Sequence, residues 1–133
     1  MAVLGAFFCT NFVELLGNMK VRRLDSTGDM MLGRGSSCFL ADSAEAVAQN
    51  VMTRLQLWRG TWFIDTDEGT PWLQQVLGKR DVAESVIRAR VLGTEGVVSI
   101  ESFESVFDPD ARALTVQIKI NTAYGEADIT ESF

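Results

Sequence analysis

The last third of the chain changes its apolar period from 3.6 to 2, and that change limits the fold more than any other feature. Val98, Ile100, Ser102, Glu104 and Val106 alternate with Val97, Ser99, Glu101, Phe103, Ser105 and Phe107. After a short break, Leu114, Val116, Ile118 and Ile120 alternate with Thr115, Gln117, Lys119 and Asn121. Successive strand side chains point to opposite faces, and in the second run this separates an apolar face from a polar one. Between them, Asp108-Pro109-Asp110-Ala111-Arg112 has Pro to preset a turn and Asp to bond its own backbone. The prediction is a long antiparallel hairpin. Its apolar face needs a cover.

Two amphipathic segments upstream supply one. From about Ser43 to Trp58, Val47, Val51 and Leu55 recur at helical spacing beside Ala44, Ala48 and Met52. Asp42 is the expected N-cap, with Glu45 three residues on, and Gly60 the expected stop. A second helix is expected from Asp81, as its cap, to Gly93, with Val82, Val86, Val91, Ala83, Ile87 and Arg90 on one face. Between them, Trp62-Phe63-Ile64 reads as a short strand and Asp65-Thr66-Asp67-Glu68-Gly69 as an acidic turn. Thr70-Pro71 then starts a short helix to Leu77 that Gly78 closes. Residues 19–40 hold short apolar pieces around a turn at Ser26 to Asp29, a hairpin or irregular edge pair. The expected class is α+β: two to three helices packed on a small, mainly antiparallel sheet with a long C-terminal hairpin.

At 133 residues this amounts to one domain. Residues 19–125 are expected to form it. Residues 1–18 read as an N-terminal extension or docking segment: they lack the basic start of a secretion signal and reach Glu14 early, while Met19-Lys20-Val21 resembles an alternative start. Nothing there approaches the length of a membrane span, and no membrane insertion is expected. Residues 126–133 form an acidic, polar tail that is expected to fray or to add a strand to a partner's sheet edge.

Composition removes several functions. The chain has no histidine, which excludes Ser-His-Asp and Cys-His pairs and imidazole-bound zinc. A formal charge of −6, from 18 acidic and 12 basic residues, argues against nucleic-acid binding. Cys9 and Cys38 match no zinc or redox spacing; the reading is two free thiols in a reducing compartment, with a disulfide as the alternative. Gly33-Arg34-Gly35-Ser36-Ser37 lacks the Lys-Ser/Thr ending of a phosphate loop and reads as a glycine turn. No cofactor or metal is expected.

The remaining enzymatic case is a carboxylate-dependent peptidoglycan hydrolase using Asp65, Asp67 or Glu68, with Trp62 and Trp72 lining a sugar site. Against it, acids crowded into one turn have the composition of a solvated loop, so the expectation is that they face water. All three tryptophans, Trp58, Trp62 and Trp72, lie in this stretch. They are read as packing residues or interface anchors, with Arg59 beside Trp58.

The sequence Leu57-Trp58-Arg59-Gly60-Thr61-Trp62-Phe63, then Asp65-Thr66, Glu68-Gly69-Thr70-Pro71-Trp72, Val76-Leu77-Gly78-Lys79, and Tyr124-Gly125 after a helix and hairpin, resembles the small baseplate wedge proteins of contractile-tailed phages, especially Mu-like ones. That group extends to a T-even wedge protein labelled a lysozyme and to the small wedge component of type VI secretion baseplates. The resemblance covers residues 43 to 125. It implies a non-enzymatic sheath initiator that offers a sheet edge to tail sheath subunits and docks to other baseplate wedge proteins. It further implies several copies in the virion tail baseplate after synthesis in the bacterial host cytoplasm. In the wider family an acidic-Pro-Arg tripeptide near the final hairpin holds the protein to the wedge. Here Asp108-Pro109 is separated from Arg112 by Asp110 and Ala111, a departure from that pattern. The partner interface expected from all this is Trp58, Arg59, Trp62, Trp72, Asp108, Pro109 and Arg112.

Overall fold

A computed structural model describes residues 19–76 and 79–133. The expectations for residues 1–18, for Cys9, and for Leu77 and Gly78 lie outside the described residues. Two strands open the described chain, β1 (Lys20–Arg22) and β2 (Phe39–Ala41), paired antiparallel. Between them, the Asp25 carboxylate accepts from the backbone N–H groups of Thr27 and Asp29 and from the Thr27 hydroxyl, closing the expected turn. Those donors hold the Asp25 carboxyl below the usual range, the Thr27 hydroxyl foremost. The glycine turn at 33–35 leads into a single 3-10 turn, Gly35–Cys38, and Cys38 is buried with a free thiol.

The first helix, α1, spans Ala44–Gln56. Its cap is Ser43, whose hydroxyl accepts from Ala46 N, and not Asp42. Asp42 adopts φ of 43°, a left-handed conformation that Asp tolerates better than most residues. Its carboxylate is spent elsewhere, accepting from Met19 N at 3.0 Å and from the Tyr124 hydroxyl at 3.4 Å. The helix also stops earlier than Gly60, because Leu57 is already extended. The second helix, α2, spans Arg80–Leu92 and ends at Gly93 as expected. Lys79 occupies its cap position but its side chain does not cap the helix, and Asp81 stands as an acid in the first turn. Its inward residues are Ala83, Ile87 and Val91 with Val86 against them, while Val82 is exposed.

The C-terminal sheet has strand order β3 (Val97–Asp108), β4 (Ala113–Thr122), β5 (Gly125–Ser132), antiparallel throughout. The predicted hairpin is therefore present, and the sheet is one strand larger. Residues 126–133 neither fray nor leave the domain: Ile118 faces Ile129, and Phe133 exchanges two backbone bonds with Leu114. Ile129 is buried among Val116, Ile118 and Ile120, which outweighs the tail's acidic composition.

Both helices lie on one face of this sheet, α1 on β5 and α2 on β3. Val47, Val51 and Leu55 from α1 meet Ile87 and Val91 from α2 over the inward side chains of β4. Gly96, which opens β3, has φ of +91°, and an added Cβ there would stand 2.7 Å from Val47 Cγ2. Only glycine lets the α2–β3 connection pass that close to α1. No helix among the described residues is long and apolar enough to cross a membrane.

Candidate functional site

The chain between α1 and α2 forms a loop tied at its stem. Thr70 N donates to Leu57 O at 2.7 Å and Arg59 N donates to Thr70 O at 3.0 Å, making a parallel bridge between Trp58 and Thr70. The Thr70 hydroxyl, fully buried, donates to Arg54 O at 3.0 Å at the end of α1. Gly69 has φ of +120°, and a Cβ there would fall 2.6 Å from Arg59 N. The two stem strands can approach this closely only because Gly69 has no side chain. Pro71 then leads into one π-type turn, Trp72–Val76, where a short helix was expected.

Glu68, still about one-third exposed, is not left to solvent as the other acids of the turn are. Its Oε1 accepts from Arg90 Nη2 at 2.7 Å and lies 3.4 Å from Arg54 Nε and Nη2. Arg54 continues the chain of bonds, donating from Nη1 to the Thr94 hydroxyl at 3.0 Å, and Arg90 Nη2 approaches Arg54 O at 3.4 Å. One carboxylate thus joins the loop to α1 and α2. The hydrogen bond from Arg90 is the main reason its carboxyl is held below the usual glutamate value, with both arginine charges adding to it. Asp65 and Asp67 behave as expected of a solvated turn: both are exposed, Asp67 N donates to Asp65 Oδ1, and Asp67 pairs with Arg59 at 3.7 Å.

The three tryptophans separate. Trp72 is 2% exposed, donates from Nε1 to Leu55 O at 2.7 Å, and meets the Phe133 ring at a centroid distance of 4.4 Å. Of the two readings given to the tryptophans, Trp72 takes the packing one, with its polar atom satisfied, and does not stand at a free surface as an interface anchor would. Trp58 and Trp62 are about two-fifths exposed. The residues taken for a strand, Trp62-Phe63-Ile64, are an irregular loop tip, with Phe63 88% and Ile64 67% exposed. The sequence reading gives Phe63 and Ile64 no role beyond the strand and does not anticipate their exposure. The available signal was their place between Gly60 and Asp65, where an apolar run has too little room to pair.

At the far end of the molecule, Asp108 Oδ1 accepts from Asp110 N and Ala111 N, and Arg112 sits at φ of 53°. Asp108 and Arg112 therefore serve the hairpin turn itself, and Pro109 is exposed within it. From Glu104 to Asp108, β3 is exposed on both faces, including Val106 at 66%, and β3 is an edge strand. The other edge, β5, has α1 over it and Gln56 Nε2 bonded to Glu131. On the outer face, Glu126 and Glu101 flank Lys119 and, with Asp128, hold its ammonium above the usual range. Among the described residues no group of three or more His, Cys, Asp or Glu is placed to hold a metal ion.

Against known proteins, no curated sequence matches the chain. A family model does, over residues 20–125: that of the contractile injection system sheath initiators.

Proposed function

We propose that this chain, which belongs to the contractile injection system sheath initiator family, starts sheath assembly by offering the outer edge of β3 to a strand of the first sheath subunits. Family membership establishes a structural, tail-associated role in sheath assembly. The finer reading places it in the virion baseplate, in several copies, docked to wedge proteins through the loop around Trp58, Arg59 and Trp62 and through the Asp108–Arg112 turn. The protein is made in the bacterial host cytoplasm and joins the tail without catalysing a reaction.

The observation that carries this is the asymmetry of the sheet's two edges. A strand edge displays unpaired N–H and C=O groups, and soluble proteins usually guard it with lysine, proline or a covering element. Neither edge strand carries Lys or Pro, but β3 runs on past the part that α2 covers and is exposed on both faces from Glu104 to Asp108, whereas β5 is packed by α1 and tied to it by the bond from Gln56 to Glu131. The hydrolase alternative has the opposite support. A general acid needs a raised pKa, and Glu68 is shifted downward by two arginines.

The test is sheath polymerisation from purified cognate subunits, followed by light scattering and electron microscopy. Wild-type protein shortens the lag and caps one end of each sheath. Val98→Lys combined with Val106→Lys, which guards the edge with charge, restores the lag of sheath alone. A folded double variant that nucleates as well as wild type would remove β3 as the nucleating edge.

A further inference from the structure

We infer that Phe63 and Ile64 form a preformed apolar anchor that seats in an apolar pocket of a neighbouring baseplate protein, and that Glu68 is its positioning residue, acting through Arg54 and Arg90. This rests on the structural tail role proposed above and names the contact that the loop makes within it.

Single exposed apolar side chains are common on any surface and carry no meaning alone. Here Trp58, Trp62, Phe63 and Ile64 are exposed together within seven residues, and the two at the tip are the most exposed of them. A loop free to rearrange would fold such side chains back onto the protein. This one is kept from doing so by two devices: the backbone bridge between Trp58 and Thr70, whose close approach Gly69 permits, and the Glu68 bonds to two helices. Ordering a loop in advance removes an entropic cost from binding, so a fixed, protruding apolar tip is suited to recognition.

The neighbouring charges describe the partner. Asp65 and Asp67 follow the tip directly and are exposed, with only Arg59 paired to Asp67. The pocket that fits is apolar within and bears lysine or arginine on its rim, so that the two acids meet cations as the tip enters.

The experiment uses the full chain and each cognate baseplate protein separately, with affinity measured by calorimetry alongside the sheath-nucleation assay. Phe63→Ser with Ile64→Ser lowers affinity for one baseplate protein by at least about tenfold, the loss of a small hot spot, with the melting temperature and sheath nucleation unchanged. Glu68→Gln weakens the same binding, raises hydrogen exchange in residues 59–67, and adds nothing when combined with the tip variant. That non-additivity separates positioning from general stability. Unchanged affinity in the tip variant overturns the anchor while leaving the β3 reading intact. An additive Glu68→Gln effect overturns the positioning role, and self-association abolished by the tip variant overturns the assignment of the partner. Retained nucleation in the folded β3 variant overturns the β3 reading and leaves the loop assignment intact.

Discussion

The loop at residues 57–71 and the hairpin end at residues 104–114 both carry apolar side chains into solvent, and they are held out by different means. The hairpin end is held by its own ladder: Val106 faces Thr115 and Phe107 faces Leu114 in regular register, so pairing along the strand supports the tip. The loop has no ladder beyond a single bridge. Its position comes from a carboxylate between two arginines, a glycine against backbone, and a buried threonine hydroxyl. A ladder spreads its support over many equivalent bonds, whereas the loop depends on a few residues that have no substitutes. Single substitutions should therefore damage the loop selectively and leave the hairpin almost untouched.

The largest effect is expected where the loop meets the core. Trp72→Ala removes an indole packed on Phe133 and bonded to Leu55 O, and should cost about 3–5 kcal/mol, a thermal midpoint lower by roughly 10 °C or more. Calorimetry showing a fall under a few degrees would mean the loop's base is not continuous with the core. Gly69→Ala comes next. It places a side chain at positive φ and against Arg59, and should cost about 1–3 kcal/mol by urea denaturation. Proteolysis between residues 59 and 67 should increase while the β3 to β5 amides keep their protection. Equal loss of protection in the sheet would break the comparison, because the two regions would then unfold as one.

The smallest effect concerns pH. Glu68 is held below its ordinary value in the folded protein, so its ionised form stabilises the fold. That contribution is fully present above the unfolded value of about 4.3 and is lost as pH falls through the lower folded value. The stability gap between wild type and Glu68→Gln should accordingly close as pH is taken down through the acidic range. A gap that stays constant would mean that Glu68 acts by shape alone.

This contrast also explains what could be read from the sequence. The hairpin and both helices were legible because their information is local: Ile118 and Ile120 alternate, and Val47, Val51 and Leu55 recur every four residues. Ends were less legible. Asp42 and Ser43 are adjacent and both suit an N-cap, and the choice fell to Ser43 because Asp42 is engaged by Met19 and Tyr124, far along the chain. The same holds for β5, whose single large buried aliphatic, Ile129, lies between Asp128 and Thr130 with Glu131 just beyond, and gains its meaning only beside Ile118. The candidate site was half visible. The run of aromatics identified the loop, but Arg54, Glu68 and Arg90 share no local pattern, and nothing in a linear reading shows that an acid in a polar turn will meet two arginines from separate helices.

The two register shifts near the start of β3, at Val97 to Ser99 and at Ile100 to Ser102, limit what that edge can accept. A bulge interrupts even spacing and increases local twist, so a newcomer finds an unbroken lattice only from Ser102 to Asp108. At about 3.4 Å per residue that is a berth of roughly 20 to 24 Å. In the proposed strand addition the edge would therefore work as a ruler, admitting a short strand in one place and giving a longer one no second position in which to settle.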